Sequence, residues 1–379
     1  MTKPLKQIKV IHVASGDLWA GAETQVYTLL KTLNKMADVT VYAVILNDGE
    51  LAKKLGDEGI NTTILDETHL SSWEILGRLR TLFQEIQPNI IHTHRLKENV
   101  LASIANKLST NAILVATIHG DGEHNNPLWM IHKRALQWTN WFCTRFLYKK
   151  LIAVSEDLGD KLNNSYPKKL LQVIENGIDI EAVKLAANSS YFETNTEIKY
   201  HIAIAGRLEQ VKRVDIFLDM AKLLIRSSPE NTWRFHIFGE GSLETFLKGR
   251  AQENSIEKHV TFHGHRNDIA SCLKAMDCLI MCSDHEGLPM TPLESIAVGT
   301  PVIVHRTGGL INIIGNQCGG LLVSNHSPKG YSKAVSKLFD DHQQRKNIEQ
   351  NGLERVERKF TARINADDIV NSYRNLLKL

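Results

Sequence analysis

The sequence predicts an α/β protein made of two doubly wound parallel-sheet domains, and three observations carry that expectation. Apolar strand-like runs alternate with amphipathic helix-length stretches through the first half of the chain, the alternation restarts in the second half, and a polar segment separates the two. The length of 379 residues fits two cores, because a single core rarely grows beyond about 250–300 residues.

In the first half, strands are expected at 8–14, 39–46, 89–93, 112–118 and 151–154, with helices at 22–34, 51–58, 71–87, 97–107 and 127–148. The segment 187–198 is rich in Asn, Ser and Thr and has no sustained periodicity, which reads as a linker. The second half gives strands at 200–205, 233–238, 260–262 and 278–282, and helices at 213–227, 243–254 and 269–275. A further helix at 292–298 is opened by Thr291 and closed by Gly299, and two helical stretches, 343–360 and 362–379, end the chain. The expected division is therefore an N-terminal domain 1–187, a linker 188–198, a C-terminal domain 199–360, and a last helix 361–379 that packs back on the first domain.

Composition narrows the function class. Hydrophobic residues make up 42% and charged residues 23%, which describes an ordinary globular protein, and a net charge of +3 gives no footing for a nucleic-acid partner. The five cysteines, Cys143, Cys272, Cys278, Cys282 and Cys318, are an odd set without C-x-x-C spacing, so packing in a reducing compartment is expected rather than disulfides or zinc. The first residues lack the apolar core of a signal peptide, and no segment approaches the roughly 20 apolar residues that span a bilayer. The expectation is a cytoplasmic protein. The aromatic and basic stretch Trp129 to Lys150 leaves a peripheral contact with the inner face of the plasma membrane as an alternative, although burial of its tryptophans on the domain core, with the cations reaching outward, is favoured.

The most informative stretch runs from Ser283 to Pro301. It places Glu286 on a loop leaving the carboxyl end of a strand, and Glu294 in the first turn of the next helix. Ligands of open α/β sheets bind outside those strand ends, where carboxylates accept hydrogen bonds from hydroxyls and a helix N-terminus favours phosphate. Glu294 also fits a capping box with Thr291, and Glu286 fits a solvated loop carboxylate. Arg207 and Lys212 leave another strand end and precede a helix, a placement suited to a pyrophosphate, unless they are solvated cations. His119 ends a strand beside Gly120, and Gly21 lies in a glycine-bearing turn that opens a helix. The fragment Gly239-Glu240-Gly241 is explained by a tight turn. No P-loop, H-E-x-x-H, G-x-S-x-G or D-x-D motif is present.

Taken in order, Gly21-Ala22-Glu23, His92-Thr93-His94, Thr117-Ile118-His119-Gly120, Val154-Ser155, Asn176 to Asp179, Gly206-Arg207-Leu208 with Lys212, Phe238 to Gly241, and the Glu286/Glu294 element followed by Gly299 to Val302 resemble the retaining glycosyltransferases of family four, of the type that builds bacterial cell-surface glycans. The resemblance covers nearly the whole chain. It implies the GT-B fold, in which two Rossmann-like domains face a central cleft, and transfer of a hexose from a UDP- or GDP-sugar to a glycan or lipid-linked acceptor, with the anomeric configuration kept and no metal or other cofactor required. By the same resemblance Glu294 binds the donor ribose, Glu286 lies against the donor sugar with Gly287, Leu288 and Met290 as backbone donors, Arg207 and Lys212 hold the diphosphate, backbone N–H groups near Gly21 reach the phosphates, and His119 contacts the sugar. Pro289, where many relatives have glycine, removes one N–H, and Asn312 stands where relatives often carry a glutamate after Gly308-Gly309. A nucleotide-sugar epimerase and a catalytically silent nucleotide-sugar-binding module are the alternatives.

Overall fold

The computed structural model describes residues 7–16, 19–120, 131–189, 192, 197–229, 232–316 and 318–379, the side chains of 131–133 excepted. The chain forms two compact units, Met1–Gly177 with Ala362–Leu379, and Ile178–Thr361.

Unit 1 holds strands β1 (Ile8–Ala14), β2 (Val39–Ile45), β3 (Asn61–Ile64), β4 (Ile90–Thr93), β5 (Ile113–Ile118), β6 (Lys150–Ala153) and β7 (Leu171–Val173). They pair in parallel in the order β3-β2-β1-β4-β5-β6-β7. Neighbouring residues of β1, among them Val10 and Ile11, are fully buried, as a strand covered by helices on both faces requires. The chain winds outward from β1 to β3 and then crosses to β4 on the other side, so the topological switch lies between β1 and β4. Helix Ala362–Leu377 returns to this unit and packs on helix Gly21–Asn34, contributing Ile369, Val370 and Tyr373 to the core.

Unit 2 repeats the plan with β8 (Tyr200–Ala205), β9 (Trp233–Phe238), β10 (Val260–Phe262), β11 (Cys278–Met281), β12 (Val302–His305) and β13 (Gly320–Val323), all parallel, in the order β10-β9-β8-β11-β12-β13. Its switch lies between β8 and β11. Phe217, Phe235, Ile303 and Tyr331 centre its core, and Cys278 and Cys282 are buried within it, their thiols pushed up by burial.

The passage between units differs from the expected linker at 188–198. It falls at Gly177–Ile178, and helix Ile180–Ser189 belongs to unit 2. That helix buries Ile180 and Ala187 and packs on helices Ile269–Lys274 and Met290–Ala297; Ser271 Oγ donates to Ala186 O at 3.1 Å. Where the chain leaves unit 2, Ile178 and Thr361 pair side by side and Ile178 N–H donates to Phe360 O at 2.8 Å.

The aromatic stretch also departs from expectation. Trp129 lies outside the described residues, but along helix Ile131–Phe146 the inward face is made by Asn140, Cys143 and Thr144, which bond or pack inside the unit. Trp138 is 69% exposed, and Phe142 and Phe146 follow it at helical spacing on the outside. No helix among the described residues is long and apolar enough to cross a membrane.

Candidate active site

In unit 2 the loops after β8 and β11 meet at the topological switch. Leu208 is buried and anchors the β8 loop, so the Arg207 side chain beside it projects outward, exposed and making no side-chain hydrogen bond or ion pair among the described residues. Gly206 N–H donates to Phe238 O and Leu208 N–H to Glu240 O, both at 2.9 Å. A Cβ on Gly239 would lie 2.0 Å from Gly206 O, so only glycine lets the two loops touch. The Gly239-Glu240-Gly241 fragment is thus a support for the Arg207 loop.

Lys212 ends a short 3-10 turn, Gln210–Lys212, and its Nζ meets Glu286 Oε1 at 2.5 Å. Both side chains are largely buried, which strengthens their attraction relative to a surface pair. Asp284 N–H donates to Val211 O at 2.9 Å, and Arg213 bridges Asp215 and Asp284, so the β8 and β11 loops are tied by backbone and side chain alike. On its other side the Glu286 loop rests on the start of helix Gly308–Ile314. Thr307 Oγ1 donates to Asp284 O at 3.0 Å, and a Cβ on Gly309 would stand 1.9 Å from Gly287 O. Gly206, Arg207, Lys212, Met281 and Ser283 line a small open depression here.

Helix Met290–Ala297 begins two residues earlier than expected, with Pro289 as its N-cap and no side-chain cap. Thr291 therefore sits inside the helix, and the capping box with Glu294 does not form. Leu288 and Met290 bury their side chains. Glu294 has no hydrogen-bond partner among the described residues, and although part of its surface reaches solvent, the protein packed around its carboxyl pushes it up to about 7.

In unit 1 Gly21 is the first residue of helix Gly21–Asn34, and a Cβ there would meet nothing within 4 Å, so the approach to that N-terminus is open. Glu23 on the same turn is buried and paired with Arg95. His119 follows β5, and its Nε2 lies 3.1 Å from His94 Nδ1. Its own Nδ1 is buried with no partner among the described residues, and burial lowers the ring to about 4, so it is neutral. His94 continues to His12, whose Nδ1 is 3.0 Å from His94 Nε2, and His92 bonds Tyr373 OH and Thr117 Oγ1. Residue patterns did not bring these four histidines together. The signal available was their placement, one within β1 and three in or just after β4 and β5.

Two doubly wound parallel-sheet units define a class of α/β protein whose ligands bind beyond the carboxyl ends of the strands, at the topological switch. Residues 19–182 match the family described as Glycosyltransferase Family 4, and residues 191–355 the one described as Glycosyl transferases group 1. The chain belongs to the glycosyltransferases built from these two domains, with the GT-B fold. Among curated relatives, the UDP-Gal:alpha-D-GlcNAc-diphosphoundecaprenol alpha-1,3-galactosyltransferase of Escherichia coli is 26% identical over 88% of this chain and 89% of its own length. The capsular polysaccharide biosynthesis glycosyltransferase CapM of Staphylococcus aureus is 24% identical over 88% and 90%. Among solved structures, HepE of Anabaena with UDP and glucose superposes with a TM-score of 0.81 over 98% of this chain and 100% of its own, at 17% identity. WaaG, a glycosyltransferase of lipopolysaccharide biosynthesis, gives 0.69 over 95% and 98%, at 14% identity.

Proposed function

We propose that this glycosyltransferase moves a hexose from a UDP-sugar to a hydroxyl of a lipid-linked glycan precursor in cell-surface polysaccharide synthesis, keeping the anomeric configuration and requiring no metal. One observation carries the reading: at the switch of unit 2 the loops after β8 and β11 hold the exposed Arg207 and the largely buried Lys212–Glu286 pair, and the helix that follows carries Glu294, whose carboxyl has no partner among the described residues. Arg207 and Lys212 hold the diphosphate and balance the charge it gains as the glycosidic bond breaks, aided by the backbone at Gly287, Leu288 and Met290. Glu294 accepts hydrogen bonds from the ribose hydroxyls. Glu286 lies at the sugar, kept in place by Lys212 and by Gly309. His119 and the backbone at Gly21 supply the contacts of unit 1, to the sugar and the phosphates.

UDP is favoured over GDP because the Escherichia coli relative uses UDP-Gal and HepE was solved with UDP. A lipid-linked acceptor is supported by that relative, whose substrate is a diphosphoundecaprenol, and by Trp138, Phe142 and Phe146 exposed beside Arg134, Arg145 and Lys149, a face suited to anionic lipid. The test is a UDP-release assay across UDP- and GDP-sugars, with and without lipid-linked acceptors and with a chelator. Acceptor-dependent release of UDP, unaffected by the chelator, and an α-linked product from an α-linked donor are expected. Conversion of the nucleotide sugar without acceptor would establish the epimerase instead, and donor binding without turnover the silent binding module.

A further inference from the structure

We infer that Tyr373, His12 and His94 are positioning residues that hold His119 as its Nε2–H tautomer, so that the bare Nδ1 accepts a hydrogen bond from a hydroxyl of the transferred sugar. The inference rests on the reading of His119 as a sugar contact.

A neutral imidazole has one N–H and one lone pair, so in a continuous row each ring's choice dictates the next. The row runs from Tyr373 OH to His12 Nε2 (3.4 Å), from His12 Nδ1 to His94 Nε2 (3.0 Å) and from His94 Nδ1 to His119 Nε2 (3.1 Å). The single phenolic proton of Tyr373 has two nitrogens to choose from, and His92 Nδ1 stands at 2.5 Å. Hydroxyl donors make contacts of about 2.5–3.0 Å and N–H donors about 2.7–3.2 Å, so the short contact is the one in which the phenol donates. Tyr373 oxygen is then left to accept from His12 Nε2–H across 3.4 Å, longer than that N–H range and the weakest link of the row. His12 Nδ1 accepts from His94 Nε2–H, and His94 Nδ1 accepts from His119 Nε2–H. His92 completes the pattern by donating from Nε2 to Thr117 Oγ1 at 2.7 Å. All four rings carry the proton on Nε2, and burial lowers every one of them, so none brings a second proton that would break the row.

A second observation agrees. Asn365 Nδ2 donates to Glu175 O at 2.7 Å, which leaves Asn365 Oδ1 to accept from Gln25 Nε2 at 3.0 Å, and Gln25 Oε1 is then buried without a partner among the described residues. Gln25 and His119 line the same small cavity, which has room for about one water. Two unpartnered acceptors in one such cavity call for a small donor between them, a hydroxyl or a water.

The test uses the full chain with 15N-labelled imidazoles, in which ring correlations separate a protonated nitrogen from a bare one. At neutral pH in the free enzyme, His119 is expected bare at Nδ1 and protonated at Nε2. UDP-glucose or UDP-galactose, whichever turns over, moves the Nδ1 resonance, whereas UDP alone does not. Tyr373→Phe mixes the tautomers and lowers kcat about tenfold, the loss of one hydrogen bond's worth of orientation, while UDP affinity stays unchanged. In a His119→Ala background Tyr373→Phe has no further effect on kcat. A proton on Nδ1, or a wild-type tautomer and kcat in Tyr373→Phe, overturns the inference. Failure of the sugar-transfer reading shows separately, as absence of turnover with every UDP-sugar while the tautomer of the free enzyme is still read directly.

Discussion

Both units carry a row of histidines crossing neighbouring strands, and the two rows are linked in the same sense, Nδ1 of one ring to Nε2 of the next. In unit 2, His201 on β8 meets His236 on β9 at 2.9 Å, and His236 meets His263, just past β10, at 3.0 Å. Burial is the leading cause of depression in both, taking His236 and His12 alike to about 3. Their placement differs. The unit 1 row spans β1, β4 and β5, across the topological switch, and ends in a bare buried nitrogen. The unit 2 row leaves the switch strand β8 for the sheet edge at β10 and ends among the rings of Phe192 and Phe238. A strongly depressed histidine is therefore no mark of function by itself; its position relative to the switch supplies the distinction.

That comparison can be broken by substitution. The largest effect is expected at the unit 2 switch: Arg207→Ala costs about 2–4 kcal/mol of transition-state stabilisation, read as kcat/KM with a UDP-sugar, while the melting temperature holds because the side chain is exposed. Glu294→Gln comes next, weakening UDP binding by about 1.5–3 kcal/mol in calorimetry, the range for hydrogen bonds to a charged group. Its pH signature sharpens the contrast with the histidines. The folded carboxyl titrates at about 7 against an ordinary 4.5, so its contribution to stability is fully present below 4.5 and is lost as pH rises through about 7. Glu294→Gln removes that loss, and its melting temperature should gain on the wild type as pH climbs through this window. The smallest effect on turnover separates the two rows. His119→Ala lowers kcat about tenfold, as loss of one oriented hydrogen bond would, whereas His263→Ala leaves kcat unchanged and lowers only the melting temperature. Equal effects on kcat would erase the distinction.

Strand ends were legible in the sequence because apolar runs stop where ligands bind. Arg207, Lys212 and Glu286 could each be placed on an exit loop from the chain alone. Their convergence could not, since the Lys212–Glu286 contact joins residues 74 apart and depends on which strands become neighbours. The Thr291/Glu294 pattern suited a capping box as well as a ligand site, and Pro289 decided between them by starting the helix early enough to draw Thr291 inside it. The polar run after Ala187 reads as a linker because composition reports solvation rather than which unit a helix packs against. The exposed aromatics of helix Ile131–Phe146 were misassigned for a related reason: aromatic spacing marks a face, and only the packed Asn140 and Thr144 reveal that the other face points inward. The histidine rows depend on strand register, which no single-residue pattern contains.

Tyr373 has a consequence for biosynthesis. Unit 2 is one continuous segment, but the first unit to leave the ribosome lacks part of its helical cover until helix Ala362–Leu377 has been made, and the surface that Ile369, Val370 and Tyr373 will cover remains open meanwhile. Until then the nascent chain carries an exposed apolar patch, a state that favours chaperone engagement, and the tyrosine that completes the row in unit 1 is made only after the whole of unit 2.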